Sequence, residues 1–193
     1  MINDIVLASA SPRRREILDG MGLKYTVKPA DIDEDAIAIA DPCELVKTLS
    51  RAKAEAVFCQ FCDSTVIAAD TVVYLDRVYG KPHDFANAVA MLKELQGKWH
   101  TVYTGVTVMN RRASVTFFDT SRVKFKELSD KQIEDYVRDC KPFDKAGAYG
   151  IQDKRIVEKY EGSYTNIVGL PKEKLADALG ELGVIDVDDR IVH

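Results

Sequence analysis

The sequence of 193 residues contains no long hydrophobic run, no excess of positive charge and no low-complexity segment. Its first apolar stretch, Ile5 to Ala10, is far too short for the core of a signal peptide or for a membrane span. The net charge is -4, from 27 Lys and Arg against 31 Asp and Glu, which argues against wrapping nucleic acid by bulk electrostatics. We therefore expect a cytoplasmic protein that binds neither membranes nor nucleic acid, and in which local cations hold any anionic ligand.

Cysteine and histidine are also scarce, with 4 Cys and 3 His. The Cys59-Gln60-Phe61-Cys62 segment has the spacing of a metal or redox pair, but no second CxxC or HxxxH partner occurs. The pair also falls at the end of a predicted helix, whereas a thioredoxin-like pair opens one. His83, His100 and His193 have no spacing that places two on one face. Reduced, structural thiols are the favoured interpretation.

Helical and strand patterns alternate from end to end, without a linker or an internal repeat. This alternation predicts one domain over residues 1–193, of the α/β class. The predicted strands are Ile2–Ala8, Lys24–Lys28, Thr65–Ala69, Val72–Leu75, Val78–Tyr79, Thr101–Met109, Ala113–Phe118, Ser121–Phe125 and Arg155–Glu158. The predicted helices are Pro12–Met21, Pro42–Phe61 with Asp41 as its cap, one capped by Asp84 and running to Leu95, one from the Ser129/Gln132 capping box through Val137, and Lys172–Leu182. Asp31–Asp35 and Glu161–Pro171 are predicted to be loops.

The first turn between strand and helix concentrates positive charge. Ser11 is a good N-cap and Pro12 fits position N1, so Arg13 and Arg14 fall at N2 and N3, where acids are favoured. Two cations there oppose the helix dipole unless an anion binds between them and the free backbone N–H groups. The turn therefore predicts an anion site. The alternative is that Arg13 and Arg14 are solvated or pair with acids elsewhere, and that Ser9 only permits a tight turn.

Asp70 follows the apolar run Val66 to Ala69 directly, at the predicted carboxyl end of a strand. Ligands of open α/β sheets collect at such ends, where an Asp can bind a divalent metal or take a proton from water. Taken alone, a loop Asp that caps a turn is the simpler interpretation. Glu34 belongs to the only dense supply of further carboxylates, although such acidic runs are usually solvated. Lys53 and Lys81 are candidate phosphate cations with the same simpler alternative.

Five blocks of sequence carry a resemblance to a known family. The blocks are Leu7-Ala8-Ser9-Ala10-Ser11-Pro12-Arg13-Arg14, Ala69-Asp70-Thr71-Val72-Val73, Gly80-Lys81-Pro82, Asp144-Lys145-Ala146-Gly147-Ala148-Tyr149-Gly150-Ile151-Gln152, and Gly162-Ser163-Tyr164 with Val168-Gly169-Leu170-Pro171. In this order they closely resemble the Maf (septum formation inhibitor) family, over nearly the whole chain.

The resemblance implies a mixed α/β fold similar to that of inosine triphosphate pyrophosphatases, with an elongated sheet flanked by helices and two lobes around a central cleft. It also implies a nucleoside triphosphate pyrophosphatase of the dTTP/UTP branch, often a homodimer, that depends on Mg²⁺ or Mn²⁺. Asp70 matches the proton acceptor of the family. The matching positions for nucleotide choice are Arg13, Thr71 and Gln152, and further cleft positions are Ser9, Arg14, Glu34, Lys53 and Lys81.

The mechanism that follows from this resemblance sets the metal against the phosphates, near Asp70 and Glu34. Asp70 deprotonates a water that attacks the α-phosphorus, while the cations neutralise the triphosphate and the departing pyrophosphate. The activity would clean normal or modified pyrimidine nucleotides from the pool, with a link to arrest of cell division. Two alternatives stay open: a pyrophosphatase for 7-methyl-GTP or damaged purine triphosphates, and a non-catalytic nucleotide-binding regulator of septum formation.

Overall fold

The computed structural model describes residues 4–185, which form a seven-stranded mixed sheet flanked by helices. The strands are β1 (Ile5–Leu7), β2 (Tyr25–Val27), β3 (Thr65–Tyr74), β4 (Val78–Tyr79), β5 (Trp99–Met109), β6 (Ser114–Phe125) and β7 (Val157–Glu161). The helices are α1 (Pro12–Gly20), α2 (Pro42–Phe58), α3 (Phe85–Leu95), α4 (Asp130–Cys140), α5 (Tyr164–Val168) and α6 (Lys172–Glu181), with a 3₁₀ turn at Ala146–Ala148.

The sheet has the order β2-β1-β3-β5-β6-β7, and β4 pairs with β3 outside this path. β1 is parallel to both β2 and β3, whereas every other pairing is antiparallel. Parallel neighbours need a crossover, which α1 supplies between β1 and β2 and α2 supplies between β2 and β3. The predicted fold class, a mixed sheet flanked by helices, is confirmed.

The long helix α2 covers one face of the sheet alone. It begins at the predicted cap, since the Asp41 side chain accepts a hydrogen bond from the Glu44 N–H at 2.9 Å. Its buried side chains contact alternate residues of β3, among them Ala68 and Val72. Gly105 of β5 allows the close approach of this helix, because a Cβ there would collide with the Val46 backbone.

The opposite face carries two separate hydrophobic clusters. One lies under α1 and α6 and includes Ala69 of β3, and the other lies under α3 and α4 and includes Val73. Thr71 stands between them on the same face, and its hydroxyl meets that of Thr104 on β5 at 3.0 Å. The backbone carbonyl of Asn166 in α5 accepts from Thr104 at 2.9 Å. A polar row therefore separates the two clusters and marks the position of a cleft.

One edge of β3 has a gap that prepares this cleft for a ligand. β1 pairs with Thr65 to Ile67, β4 pairs with Val73 and Tyr74, and β5 occupies the other edge from Val66 onward. Between β1 and β4 no described strand pairs with this edge of β3. Asp70 lies in the middle of the gap, and the chain leaving β1 turns there into α1.

Several predicted boundaries are wrong, each for a physical reason. β3 does not end before Asp70, because Asp70 pairs with Gly105 of β5 and the ladder continues to Tyr74. The two strands predicted at 113–118 and 121–125 are one strand, since the backbones of Asp119 and Thr120 pair with β5. Strand β7 begins at Val157 instead of Arg155, and α2 ends at Phe58 instead of Phe61.

The predicted loop from Glu161 to Pro171 contains the short helix α5. Ser163 caps it by accepting from the Asn166 N–H at 3.2 Å, and Gly169 ends it with a φ of 117°. Five residues are too few to show helical periodicity, so the sequence pattern could not reveal this helix.

Within residues 4–185, every helix falls short of the length or apolar character needed to cross a membrane. The four cysteines are free thiols, and Cys59 and Cys62 are exposed. His193 and the start of the predicted first strand at Ile2 lie outside the described residues. The single domain with two lobes stays a prediction.

Candidate active site

A cavity of about 360 Å³ opens at the gap in β3, and its walls contain every residue predicted for the site. These nine residues come from α1, α2, β3 and four separate loops: Ser9, Arg13, Arg14, Glu34, Lys53, Asp70, Thr71, Lys81 and Gln152. The cavity also brings in Asp144, Lys145 and several apolar side chains. Its location at the carboxyl end of β1 agrees with the general position of ligand sites in α/β sheets.

Asp70 and Lys53 form the deepest charged pair of the cavity. Lys53 Nζ lies 2.6 Å from Asp70 Oδ1, and the two side chains are only 11% and 10% exposed. The same ammonium contacts Glu34 Oε2 at 3.1 Å. Asp70 Oδ2 receives no hydrogen bond within the described part of the chain. One carboxylate oxygen therefore stays open to the cavity while the other is fixed by α2.

Arg14 is held by neutral oxygens alone. Its Nε donates to the Gly169 carbonyl at 2.8 Å, Nη1 to Ser9 Oγ at 3.0 Å and Nη2 to Thr71 Oγ1 at 3.2 Å. Loss of hydration on burial lowers the pKa of Arg14, although the nearby charge of Asp70 partly opposes this. No carboxylate of residues 4–185 pairs with it, so the site contains a positive charge that an anion would stabilise.

Ser11 occupies the N-cap position of α1 but does not cap it with its side chain. Its backbone N–H instead donates to Ser9 Oγ at 3.3 Å, while Ser9 also accepts from Arg14. The predicted cap interaction at Ser11 is therefore wrong. The hydroxyl of Ser9 organises the turn, and the first N–H groups of the helix have no side-chain cap.

Arg13 crosses the mouth of the cavity to the loop after α4. Its Nη1 lies 2.7 Å from Asp144 Oδ2, and its Nη2 donates to the Asp144 backbone carbonyl at 3.0 Å. Lys145 Nζ contacts the other carboxylate oxygen at 2.6 Å. Burial opposes ionisation of Asp144, but the hydrogen bonds from Lys145 and Arg13 outweigh it and lower the pKa of Asp144. Pairing of Arg13 with a distant acid was the alternative left open by the sequence.

Lys81 and Gln152 are exposed at the rim, and neither makes a hydrogen bond within residues 4–185. Lys81 leaves a loop that is tied to the opposite wall, because the Gly147 N–H donates to the Gly80 carbonyl at 3.0 Å. Gln152 lies beside Gly150, where an added Cβ would meet Gln152 Oε1 at 3.1 Å. Both side chains are thus available to a ligand.

The wall opposite Lys53 is apolar and belongs to the cluster under α3 and α4. Its cavity-lining members are Val73, Val102, Ala146, Tyr149, Ile151, Ile167 and Val168. The hydroxyl of Tyr149 points away from solvent to His100 Nε2, at 2.9 Å, and burial raises the pKa of Tyr149. The cavity therefore has one charged end and one largely apolar end.

Asp144, Lys145 and Tyr149 were not assigned roles from the sequence, although they lie in one of the quoted blocks. The only available signal was the placement of an acid and a lysine immediately before a run of small residues. Nothing in the local pattern indicates that Asp144 meets Arg13, because 131 residues separate them in sequence.

The carboxylates present are compatible with a divalent cation shared with a ligand. No group of three or more His, Cys, Asp or Glu side chains able to hold a metal occurs in residues 4–185. Asp70 and Glu34 nevertheless converge on one ammonium, and their hard oxygens suit Mg²⁺, which commonly takes one or two carboxylates together with substrate phosphates.

Comparisons with known proteins agree with this architecture. Residues 4–182 match the family model described as Maf-like protein. The dTTP/UTP pyrophosphatase of Thermosipho africanus is 49% identical over 185 residues, which cover 94% of this chain and 95% of that protein. The protein of the same name from Pelotomaculum thermopropionicum is 44% identical over 187 residues, covering 94% and 98%.

Among solved structures, a HAM1 protein from Coxiella burnetii aligns with a TM-score of 0.50 and 16% identity, covering 93% of this chain and 99% of that one. At this identity the likeness concerns the fold alone. Because the family match spans residues 4–182 and the relatives align over almost their whole length, the chain belongs to the Maf-like protein family.

Proposed function

We propose that the protein hydrolyses dTTP and UTP to the nucleoside monophosphate and pyrophosphate. The observation that carries this proposal is Arg14, a partly buried cation with only neutral partners, set in the first turn of α1 in the same cavity as Asp70. An anion would stabilise such a charge, and a carboxylate near it can act as a general base. The names of the relatives from Thermosipho and Pelotomaculum supply the nucleotides.

The charge of the cavity suits a triphosphate. Its walls contain five cations and three carboxylates, which leaves an excess of two positive charges in a protein whose net charge is -4. Arg14 and Lys81 are the two cations without a carboxylate partner in the described chain. We assign the phosphates to the end of the cavity formed by the Ser9–Arg14 turn, Lys53 and Lys81. The nucleobase then lies against the apolar wall near Gln152. The Gln152 amide can both donate a hydrogen bond to a uracil or thymine edge and accept one from it.

Asp70 acts as the proton acceptor in this proposal. Lys53 fixes Oδ1, so Oδ2 is the oxygen that takes a proton from the attacking water. The water oxygen forms a bond to the α-phosphorus, the bond from that phosphorus to the bridging oxygen breaks, and pyrophosphate leaves. Arg14 and Lys81 stabilise the charge that accumulates on the leaving group.

We assign a divalent cation, Mg²⁺ or Mn²⁺, to Asp70 and Glu34 together with the phosphates. When bound, it neutralises phosphate charge and polarises the phosphorus for attack. Lys53 contacts both carboxylates and so holds them together. Thr71 makes hydrogen bonds with Arg14 and Thr104. In this proposal it therefore orients Arg14 as well as contacting the nucleobase.

A substrate panel tests the function. Release of pyrophosphate is measured with Mg²⁺ and with Mn²⁺ for dTTP, UTP, CTP, 7-methyl-GTP and ITP, as kcat/KM. We expect dTTP and UTP to lead the panel. A preference for 7-methyl-GTP or ITP would show that dTTP and UTP are not the main substrates. If no pyrophosphate were released from any nucleotide, the non-catalytic regulator would be favoured. The homodimer, the cytoplasmic location and the link to cell division stay predictions.

A further inference from the structure

We propose that Asp144 is a positioning residue for nucleotide choice. It holds the Arg13 guanidinium away from the triphosphate and at the base end of the cavity, which is the end where the nucleobase lies against the apolar wall near Gln152. This inference rests on the proposed function of the site. It concerns a residue that makes no contact with Asp70 or Lys53 and acts through Arg13.

The geometry of the contact fixes both the position and the direction of Arg13. Two terminal nitrogens are held at once, one by the carboxylate at 2.7 Å and one by the backbone carbonyl of the same residue at 3.0 Å. A guanidinium held at two points keeps its plane, which a single contact does not ensure. The Arg13 side chain is 21% exposed and that of Asp144 53%, so solvent screens the pair and the two-point geometry, more than burial, fixes the guanidinium.

The location of Asp144 joins this contact to the base end. Lys145 shares the carboxylate and its stem lies beside Gly150, next to the Gln152 amide. The following residues, from Ala146 to Ile151, provide much of the apolar wall. The Arg13 side chain is therefore tied to the loop that presents Gln152, although its backbone belongs to the Ser9–Arg14 turn.

The charge of Asp144 also explains why Arg13, next to Arg14, does not simply become another cation that binds the phosphates. A freed guanidinium at the second position of α1 would be attracted to a bound triphosphate, because the two charges are opposite and close. Asp144 supplies a competing negative charge. The expected consequence of removing it is a gain in affinity for the phosphates together with a loss of discrimination between bases.

The test compares the wild-type protein with Asp144→Asn, which retains the shape of the side chain and removes its charge. Equilibrium binding of dTTP, dGTP and inorganic tripolyphosphate is measured by calorimetry in EDTA, so that no nucleotide is hydrolysed and the test does not need turnover. We expect tripolyphosphate to bind about fivefold more tightly to the variant. We expect the preference for dTTP over dGTP to fall by about tenfold. Asp144→Glu, which restores the charge, is expected to recover part of the preference.

A double-mutant cycle with Arg13→Ala shows whether Asp144 acts through Arg13. If it does, Asp144→Asn changes the preference little once Arg13 is absent. The control is Glu161→Gln, which removes an exposed carboxylate paired with Arg122 at 3.3 Å on the edge strand. The inference is overturned if Asp144→Asn leaves the preference unchanged, if it weakens all three ligands equally, or if its effect persists without Arg13. Failure of the substrate panel alone would reject the proposed hydrolysis and leave this binding test intact.

Discussion

Lys53 Nζ of α2 lies 2.6 Å from Asp70 Oδ1 of β3, and both side chains are largely buried. The pair joins the helix on one face of the sheet to the strand that lines the cavity, and it also gathers Glu34. A charged pair in such a place needs good geometry to offset the loss of hydration of both groups. Its role in chemistry and its role in stability can be tested separately.

The variant Asp70→Asn tests the role of Asp70 as the proton acceptor. We expect kcat to fall by about 10²- to 10⁴-fold, because the amide cannot accept the proton from water. Nucleotide affinity measured without a divalent cation should stay close to that of the wild type, since the shape is retained. The measurements are kcat by pyrophosphate release and Kd by calorimetry, with Asp63→Asn, an exposed carboxylate outside the cavity, as the control. Turnover near that of the control would remove Asp70 from this role.

Lys53→Met tests the contribution of the pair to folding. The substitution leaves Asp70 buried without its ion-pair partner, and we expect the free energy of unfolding in urea to drop by about 3 kcal/mol. Lys93→Met breaks an exposed pair with Asp130 and should cost at most about 1 kcal/mol. Combining Lys53→Met with Asp70→Asn should recover part of the loss, because no unpaired charge is then buried. Equal losses of unfolding free energy in Lys53→Met and Lys93→Met would contradict this expectation.

The burial of His100 should make the folded protein less stable in acid. Burial lowers the pKa of His100 from 6.5 to about 3, so the unfolded chain binds a proton between these values that the folded protein does not. Stability therefore falls as the pH drops through this window, by up to about 1.4 kcal/mol per pH unit from this group. His100→Gln, which can keep a bond to Tyr149, should flatten the dependence.

The measurement is urea unfolding between pH 7 and pH 4 for both proteins, with His83→Gln, an exposed histidine, as the control. A slope in His100→Gln as steep as in the wild type would show that other groups cause the acid sensitivity.

Gly105→Ala tests the packing of α2 on the sheet. The new Cβ would collide with the Val46 carbonyl and lie 2.8 Å from the Lys47 nitrogen, and helix backbone cannot yield locally. We expect a loss of at least about 3 kcal/mol in the free energy of unfolding. Gly20→Ala, at the end of α1, has open space around its new Cβ and should leave stability almost unchanged. Similar stabilities for the two variants would disprove the close contact.

Prediction from sequence succeeded where the signal was local or extended. The caps at Asp41, Asp84 and Ser129 are present as expected, because each depends on residues three positions apart. It failed where a neighbouring strand decided the outcome. Asp70 interrupts the hydrophobicity of β3 but not its hydrogen bonds, which β5 supplies. The short helix α5 was missed because it is held by its cap and by the sheet beneath it.

The sequence by itself determined the alternation of helices and strands, the α/β class, the positive charge at the start of α1 and, through several motifs in order, the family. These properties depend on local spacing and on residue type. Only the tertiary structure decided which charges meet: Lys53 with Asp70 and Glu34, and Arg13 with Asp144 across 131 residues. The reason is that such contacts depend on how α1, α2 and the loop before β7 pack around one sheet. No pattern within a segment encodes that arrangement.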